Sequence, residues 1–206
     1  MKEKYIWEIK VKNPPAIKRK CNHCSGKRFY SSDKFRMNSQ KKSTDVWLIY
    51  RCSECDRTYN LTLLSRVKPE QVKKDLFLKF SANSQDLAWE YAFSSETARK
   101  NGVEFDYGSV DYDILHDPVS IQDILSSDNE IITFEIKTTF ELGLKLSSVI
   151  RSCLGLSASQ LHRITEAKAI FTSRDCPLKK QKVRDGERVL ISKKKLQTIY
   201  QDGRVL

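Results

Sequence analysis

The sequence predicts an α+β protein in three segments: a small cysteine-bearing β-module over 1–67, helices followed by strands over 68–139, and a small αβ domain over 140–206. Three observations carry this prediction. Four of the six cysteines form two C-x-x-C pairs, Cys21-Asn-His-Cys24 and Cys52-Ser-Glu-Cys55. Apolar residues recur at helical spacing in the middle and again from Leu146. Charge also changes sign along the chain. Residues 1–70 carry 17 basic and 7 acidic side chains (+10), 71–139 carry 6 and 13 (−7), and 140–206 carry 14 and 6 (+8).

Composition narrows the class. At 206 residues roughly 70% of the unfolded surface can be buried, enough for a core without disulfides. With 39% hydrophobic and 31% charged residues, 7 Gly and 5 Pro, the chain is neither collagen-like nor largely disordered. The longest apolar runs resemble Val46-Trp-Leu-Ile-Tyr50, too short to span a bilayer. The start, Met1 to Glu8, has a charge every few residues and no apolar signal core. The expectation is a soluble cytoplasmic protein with no membrane partner, whose net charge of +11 invites an anionic one.

In a reducing compartment, two C-x-x-C knuckles read as metal ligands rather than disulfides. A two-residue spacer aims two thiolates at one point, and two such turns complete the tetrahedron that Zn²⁺ prefers. The expected ligands are Cys21, Cys24, Cys52 and Cys55, around a structural Zn²⁺ with no open position. With the metal bound, the first segment is nearer +8. The 27 residues between the pairs suit a long hairpin, its arms Lys27–Ser31 and Asp45–Arg51 and its polar tip Asn38–Thr44. Tyr59, Leu61 and Leu63 then alternate as a third strand, completing a zinc-ribbon pattern. His23 reads as a surface residue. A redox role is disfavoured because no βαβ context surrounds either pair. Phe29, Tyr30, Phe35, Trp47 and Tyr50 either build the ribbon core or stack on bases, with Phe35 the best stacking candidate.

In the middle segment, Lys68-Pro69-Glu70 predicts a helix start, followed by Val72, Leu76, Phe77 and Phe80 at helical spacing. Ser84 predicts the cap of a second helix, and Ser95 to Lys100 a third that stops at Asn101-Gly102. Beyond Val103 the pattern turns to strand. Asp111 and Asp113 near His116 are expected to be a solvated acidic surface rather than a metal-dependent catalytic site.

From Lys145, residues Leu146, Val149, Ile150, Cys153 and Leu154 fall on one helical face. Gly155 ends that helix. Ser157 and Gln160 form a capping box for the next, which buries Leu161 and Ile164 and exposes His162, Arg163, Glu166 and Lys168. A strand at Ala169–Thr172 and a strand-turn-strand around Asp185-Gly186 follow. This order, with the Leu154-Gly-Leu-Ser157 link, Ser159-Gln160-Leu161 and Val183-Arg-Asp-Gly-Glu187, resembles the small RNA-binding domain of the small-subunit ribosomal protein four family, over roughly 144–192. The resemblance implies RNA-facing roles for Lys145, at the family's leading Arg, and for Ser159, Gln160 and Arg163 on the second helix. It departs at Ser147 for an Asp, Ala158 for an Arg, and Lys168 for the helix-ending Gly. His162, Arg163 and Lys168 keep the surface basic, Arg151 joins the expected RNA-binding set, and Lys179, Lys180 and Lys182 add charge on the following loop. The Asp45–Cys52 run also resembles an uncharacterised bacterial zinc-ribbon family that has no assigned activity.

These readings lead to the expectation of a non-catalytic, zinc-containing RNA-binding protein acting on structured rRNA or tRNA, in association with the ribosome. The alternative is a protein-interaction adaptor using the ribbon and the acidic middle. An RNA-modifying enzyme is disfavoured by the absence of a glycine-rich nucleotide loop. Cys153 reads as core and Cys176 as an exposed lone thiol.

Overall fold

A computed structural model describes residues 4–40 and 42–201; Lys41, which belongs to the expected hairpin tip, and residues 1–3 of the expected charged start lie outside them. Two sheets and seven helices make up the described chain. It divides into two compact units, 12–111 and a second made of 1–11 with 112–206. This differs from the three segments expected from charge. Charge marks what faces water, whereas unit boundaries follow the apolar faces that must be covered.

Unit 12–111 is built on β2 (Ala16–Lys18), β3 (Arg28–Gln40), β4 (Ser43–Cys52), β5 (Thr58–Val67) and a short β6 (Glu104–Asp106). In sequence numbering the sheet order is β5-β4-β3-β2-β6, so the expected three-stranded ribbon forms one side of it, with β5 at the edge and β2 and β6 added beyond β3. The hairpin arms are longer than expected. Asn38, Ser39 and Gln40 pair with Asp45, Thr44 and Ser43 instead of looping. Cross-strand hydrogen bonding continues through these polar residues because the arms stay in register after one shift between Ser31 and Lys34. At that shift Asp33 sits at positive φ (53°), the extra-residue geometry of a β-bulge.

Three helices cover this sheet: α1 (Lys74–Ser81), α2 (Gln85–Phe93) and α3 (Ser95–Asn101). They bring Phe80, Leu87, Ala88 and Ala92 onto Val46, Leu48, Tyr50, Leu61 and Leu63. Two caps expected from sequence are present. Ser84 Oγ accepts from Leu87 N–H, and Gly102 ends α3 at φ 60°. The first helix starts later than Lys68-Pro69-Glu70 predicts. Pro69–Gln71 forms one 3-10 turn, Val72 is extended, and α1 begins at Lys74. Phe35 is held edge-on by Phe80, with ring centroids 4.9 Å apart. The half-buried ring thus takes the packing role, one of the two readings open from sequence; the helix against it lies beyond the ribbon, where strand alternation gave no sign of it.

The other unit has the sheet order β7-β1-β8-β10-β9, from β1 (Lys4–Val11), β7 (Tyr112–His116), β8 (Ile131–Thr138), β9 (Ile170–Thr172) and β10 (Arg188–Ser192). β1 pairs antiparallel with β7 and parallel with β8. Residues 12–111 are thus an insertion between two paired strands. Tyr5, Trp7, Ile9, Ile132, Phe134, Ile136, Val189 and Ile191 are buried and share one face by strand alternation. The unit's helices are α4 (Ile121–Ser126), α5 (Leu146–Leu154), α6 (Ala158–Glu166) and α7 (Lys193–Gln201). Gly155 at φ 62° closes α5, and the Ser157–Gln160 capping box opens α6. Lys168, at the position where the resembled family has glycine, sits in the left-handed region at φ 54°. The expected strand-turn-strand is not a hairpin. Gly186 turns at φ 72°, but β10 pairs with β8 and β9, while Lys182 bridges Lys145. An Asp-Gly turn fixes local backbone sign and leaves the choice of partner strand open.

On the opposite face of β8, Glu135 has a side chain only 9% exposed. It is ringed by Lys4 at 2.7 Å, Lys137 at 3.0 Å and Arg188 at 3.5 Å. Lys4 first, then Lys137, hold its carboxyl down at about 2 against the opposing effect of burial. A folded value below the unfolded one, roughly 4.3, means stabilisation present above the unfolded value and lost as pH falls towards 2. The melting temperature of this unit should drop across that window. Glu135→Gln should flatten the profile, lying below wild type at pH 7 and converging with it near pH 2; parallel profiles would refute the pairing.

Candidate metal centre and basic surface

The four knuckle cysteines meet at one end of the long hairpin. Cys21 and Cys24 precede β3, while Cys52 ends β4 and Cys55 lies in the turn before β5. Their sulfurs lie within 4.8 Å of one another, with Cys21–Cys55 at 3.7 Å and Cys24–Cys52 at 3.6 Å. Four sulfurs around one ion at about 2.3 Å would be separated by about 3.8 Å. Tetrahedral ligation fits the cluster without rearrangement, so the four cysteines can hold a metal ion.

Backbone geometry builds the two turns. His23 N–H points at Cys21 Sγ (3.4 Å) and Gly26 N–H at Cys24 Sγ (3.3 Å). Cys21 N–H donates to Gly26 O at 2.8 Å, and Cys52 N–H to Arg57 O at 2.9 Å, closing each loop. Asp56 at φ 57° completes the second turn. Sequence reasoning passed over Gly26. A Cβ there would lie 2.7 Å from Cys52 Sγ and 3.0 Å from Glu54 Cγ, so only glycine lets the two knuckles close. The available signal was a glycine two residues beyond Cys24.

The sulfurs do not share one protonation behaviour. The His23 N–H lowers the Cys21 thiol to about 6. At Cys24 the Gly26 N–H acts downward, but the Cys55 sulfur, burial and the remaining sulfurs outweigh it and push the thiol up to about 12. Crowded thiolates repel, and a cation at their centre removes that repulsion. His23 is exposed and faces Arg57, with Nη2 3.4 Å from Nδ1. Cys153 is buried and its thiol is pushed up to about 12 by burial, which leaves it inert. Cys176 is exposed.

Among the described residues, the four cysteines are the group of three or more His, Cys, Asp or Glu side chains able to share an ion. Asp111 lies outside β7 and its N–H donates to Asn13 Oδ1. Asp113 is within the strand, and His116 Nδ1 lies 2.9 Å from Asp117 O. These acids do not converge.

The second constellation lies in the C-terminal segment. Leu146 N–H donates to Gln181 O and Val183 N–H to Leu144 O. Residues 144–146 and 181–183 therefore run side by side, with Lys145 opposite Lys182. Lys179 and Lys180 occupy the 3-10 turn just before them. All four are exposed, and none is ion-paired among the described residues. Arg151, Ser159, His162, Arg163 and Lys168 are exposed as well. Two of the expected positions carry structural duties. Gln160 Oε1 accepts from Ser157 N–H at 2.7 Å in the capping box, and Arg151 Nε donates to Leu156 O at 3.2 Å across the helix link. Ser159 Oγ meets Ser157 Oγ, and His162 lies 3.8 Å from Glu166. The basic loop is braced from beneath by Gln181, bonded to Thr172 and to Cys176 O, and by Arg174, bonded to Lys182 O and paired with Glu187 at 2.6 Å. No helix is long and apolar enough to cross a membrane among the described residues.

A family model described as a protein of unknown function (DUF1062) matches residues 37–176. No curated protein matches the chain, and no solved structure does.

Proposed function

The chain belongs to the DUF1062 family of proteins of unknown function, and we propose from its own residues that it is a non-catalytic, zinc-containing RNA-binding protein. The observation that carries this reading is the lysine cluster. Lys145 and Lys182 face each other across paired backbone segments, and neither is ion-paired among the described residues. Like charges directly opposite are unfavourable, and an anionic partner relieves that cost. Lys179 and Lys180 extend the same charge, and the helix pair α5–α6 with its left-handed Lys168 supports the resemblance to the ribosomal RNA-binding domain. Structured rRNA or tRNA in the cytoplasm, with ribosome association, is the partner this reading implies.

Zn²⁺ is the proposed metal because four soft thiolates in a tetrahedron suit it, and a full set of protein ligands leaves no position for substrate. The metal would fix the ribbon, with Cys21, Cys24, Cys52 and Cys55 as its ligands.

Binding of an unmodified tRNA transcript, measured from about 50 to 200 mM salt, should give a log K against log salt slope of several units. Replacing Lys145, Lys180 and Lys182 together by Ala should shallow the slope by about 0.7–0.9 per lost phosphate contact. A slope and affinity unchanged in the triple variant would sink the site. The second reading, an adaptor that docks protein, draws on adjacent exposed Phe77 and Leu78 on α1. Ribosome or polymerase association that survives RNase and high salt would favour it.

A further inference from the structure

Two cavities flank the four cysteines, and they differ in how their cations are held. The larger is a groove of 840 Å³ whose lining includes Lys18, Lys27, Arg28 and Glu54. Most of its positive charge is already matched: Lys18 Nζ lies 2.6 Å from Glu104 and Arg28 2.9 Å from Asp106. The smaller, of 310 Å³, is lined by Arg19, Lys20, His23, Arg57 and Tyr59, with Phe29 among its walls. No carboxylate lines it, and none of its three cations is ion-paired among the described residues.

Rings hold two of these cations, Arg19 and Arg57, in place instead. The Arg19 guanidinium stands 4.7 Å from the centre of the Tyr59 ring, a cation–π geometry, and Phe29 braces Tyr59 edge-on at 5.9 Å. Arg57 Nη2 lies 3.4 Å from His23 Nδ1. A ring face orients a guanidinium without neutralising it and leaves its planar N–H fork open for phosphate oxygens. Two of the three positive charges offset the net −2 of a Zn²⁺ tetrathiolate beside them, and one remains. A cavity of this size lies at the small end of ligand sites, enough for one nucleotide.

We infer that this knuckle pocket is a phosphate-binding site that takes one nucleotide of single-stranded RNA, with Arg19 and Arg57 on the phosphate. It rests on the RNA-binding reading and adds a second contact point to it, on the ribbon rather than on the C-terminal lysines.

The test uses the metal-loaded full chain and two probes, uridine 5′-monophosphate followed by NMR and a short single-stranded oligoribonucleotide followed by anisotropy. Saturable shifts of the Arg19 and Arg57 Nε–H signals and of the Lys20 and Thr58 backbone amides in the pocket wall are expected with the nucleotide, and the amide shifts should be lost in Arg19→Gln/Arg57→Gln. That variant should bind the oligonucleotide about tenfold more weakly, with a salt slope shallower by about 1.4, the value for two lost single-strand contacts. Lys18→Gln/Lys27→Gln, in the larger groove, should stay within about twofold of wild type. Shifts spread evenly over surface lysines would overturn the inference, as would unchanged binding by the arginine variant. Loss of its metal would also overturn it, since the cations would then serve only the thiolates. Inorganic phosphate binding as tightly as the nucleotide would overturn the assignment to a nucleotide. If tRNA binding persists while the uridine monophosphate effect is absent, the pocket fails and the RNA reading stands. If the nucleotide effect appears without tRNA binding, the reverse holds.

Discussion

Cys52→Ser should release the metal and unfold residues 12–111 while the other unit stays folded. Cys52 is 1% exposed, ends β4 opposite Phe29, and its sulfur lies 3.6 Å from that of Cys24. Serine keeps the volume but replaces a soft thiolate with a hydroxyl, leaving three ligands. Apparent binding energies for structural Zn²⁺ are about 10–16 kcal/mol, as large as the whole stability of a typical domain, about 5–15 kcal/mol. Metal content by mass spectrometry should fall from one ion per chain to a small fraction. Hydrogen exchange should show lost protection across 12–111 and retained protection in β1 and across 112–201. His23→Ala should keep the metal. A Cys52→Ser protein with unchanged melting and exchange would mean that the sulfurs form only a packed thiol cluster.

What could be read from the sequence was local. The knuckles were legible because a metal fixes ligand spacing within a few residues, and the Ser157–Gln160 box because a helix cap spans three. The Ser84 and Gly102 signals were equally short-range. Non-local pairing was not legible. Tyr5, Trp7 and Ile9 alternate like a strand, yet nothing near them says that their parallel partner is β8, more than a hundred residues away. Charge misled for the same reason: the acidic middle is one block in composition but belongs to two units, since Phe80, Leu87 and Ala88 cover the ribbon while Ile132, Phe134 and Ile136 pack with β1. Of the candidate site, the cysteines were read directly. Gly26 and the Arg19–Tyr59 stack depend on distances across the knuckles that spacing does not encode.

Trp7→Ala should cost about 3–5 kcal/mol and destabilise the unit formed with 112–201, leaving the metal-bearing unit intact. Trp7 is 1% exposed, stacks on Phe134 at 4.5 Å, and sits in register between His116 of β7 and Ile136 of β8. Among the described residues β7 is an edge strand that joins that sheet through β1, so loosening β1 exposes two strands at once. Chemical denaturation with Trp7→Ala should show a lower midpoint for this unit, and exchange should rise across β7 and β8 while metal retention by the four cysteines is unchanged. Ile6→Ala, one residue away on the opposite face and 50% exposed, should cost far less. Had residues 4–11 belonged to the ribbon, as the charge blocks suggest, the tryptophan variant would release metal at lower temperature and leave 112–201 protected. The two arrangements therefore give opposite exchange patterns, and the large residue at the strand's centre makes the difference measurable.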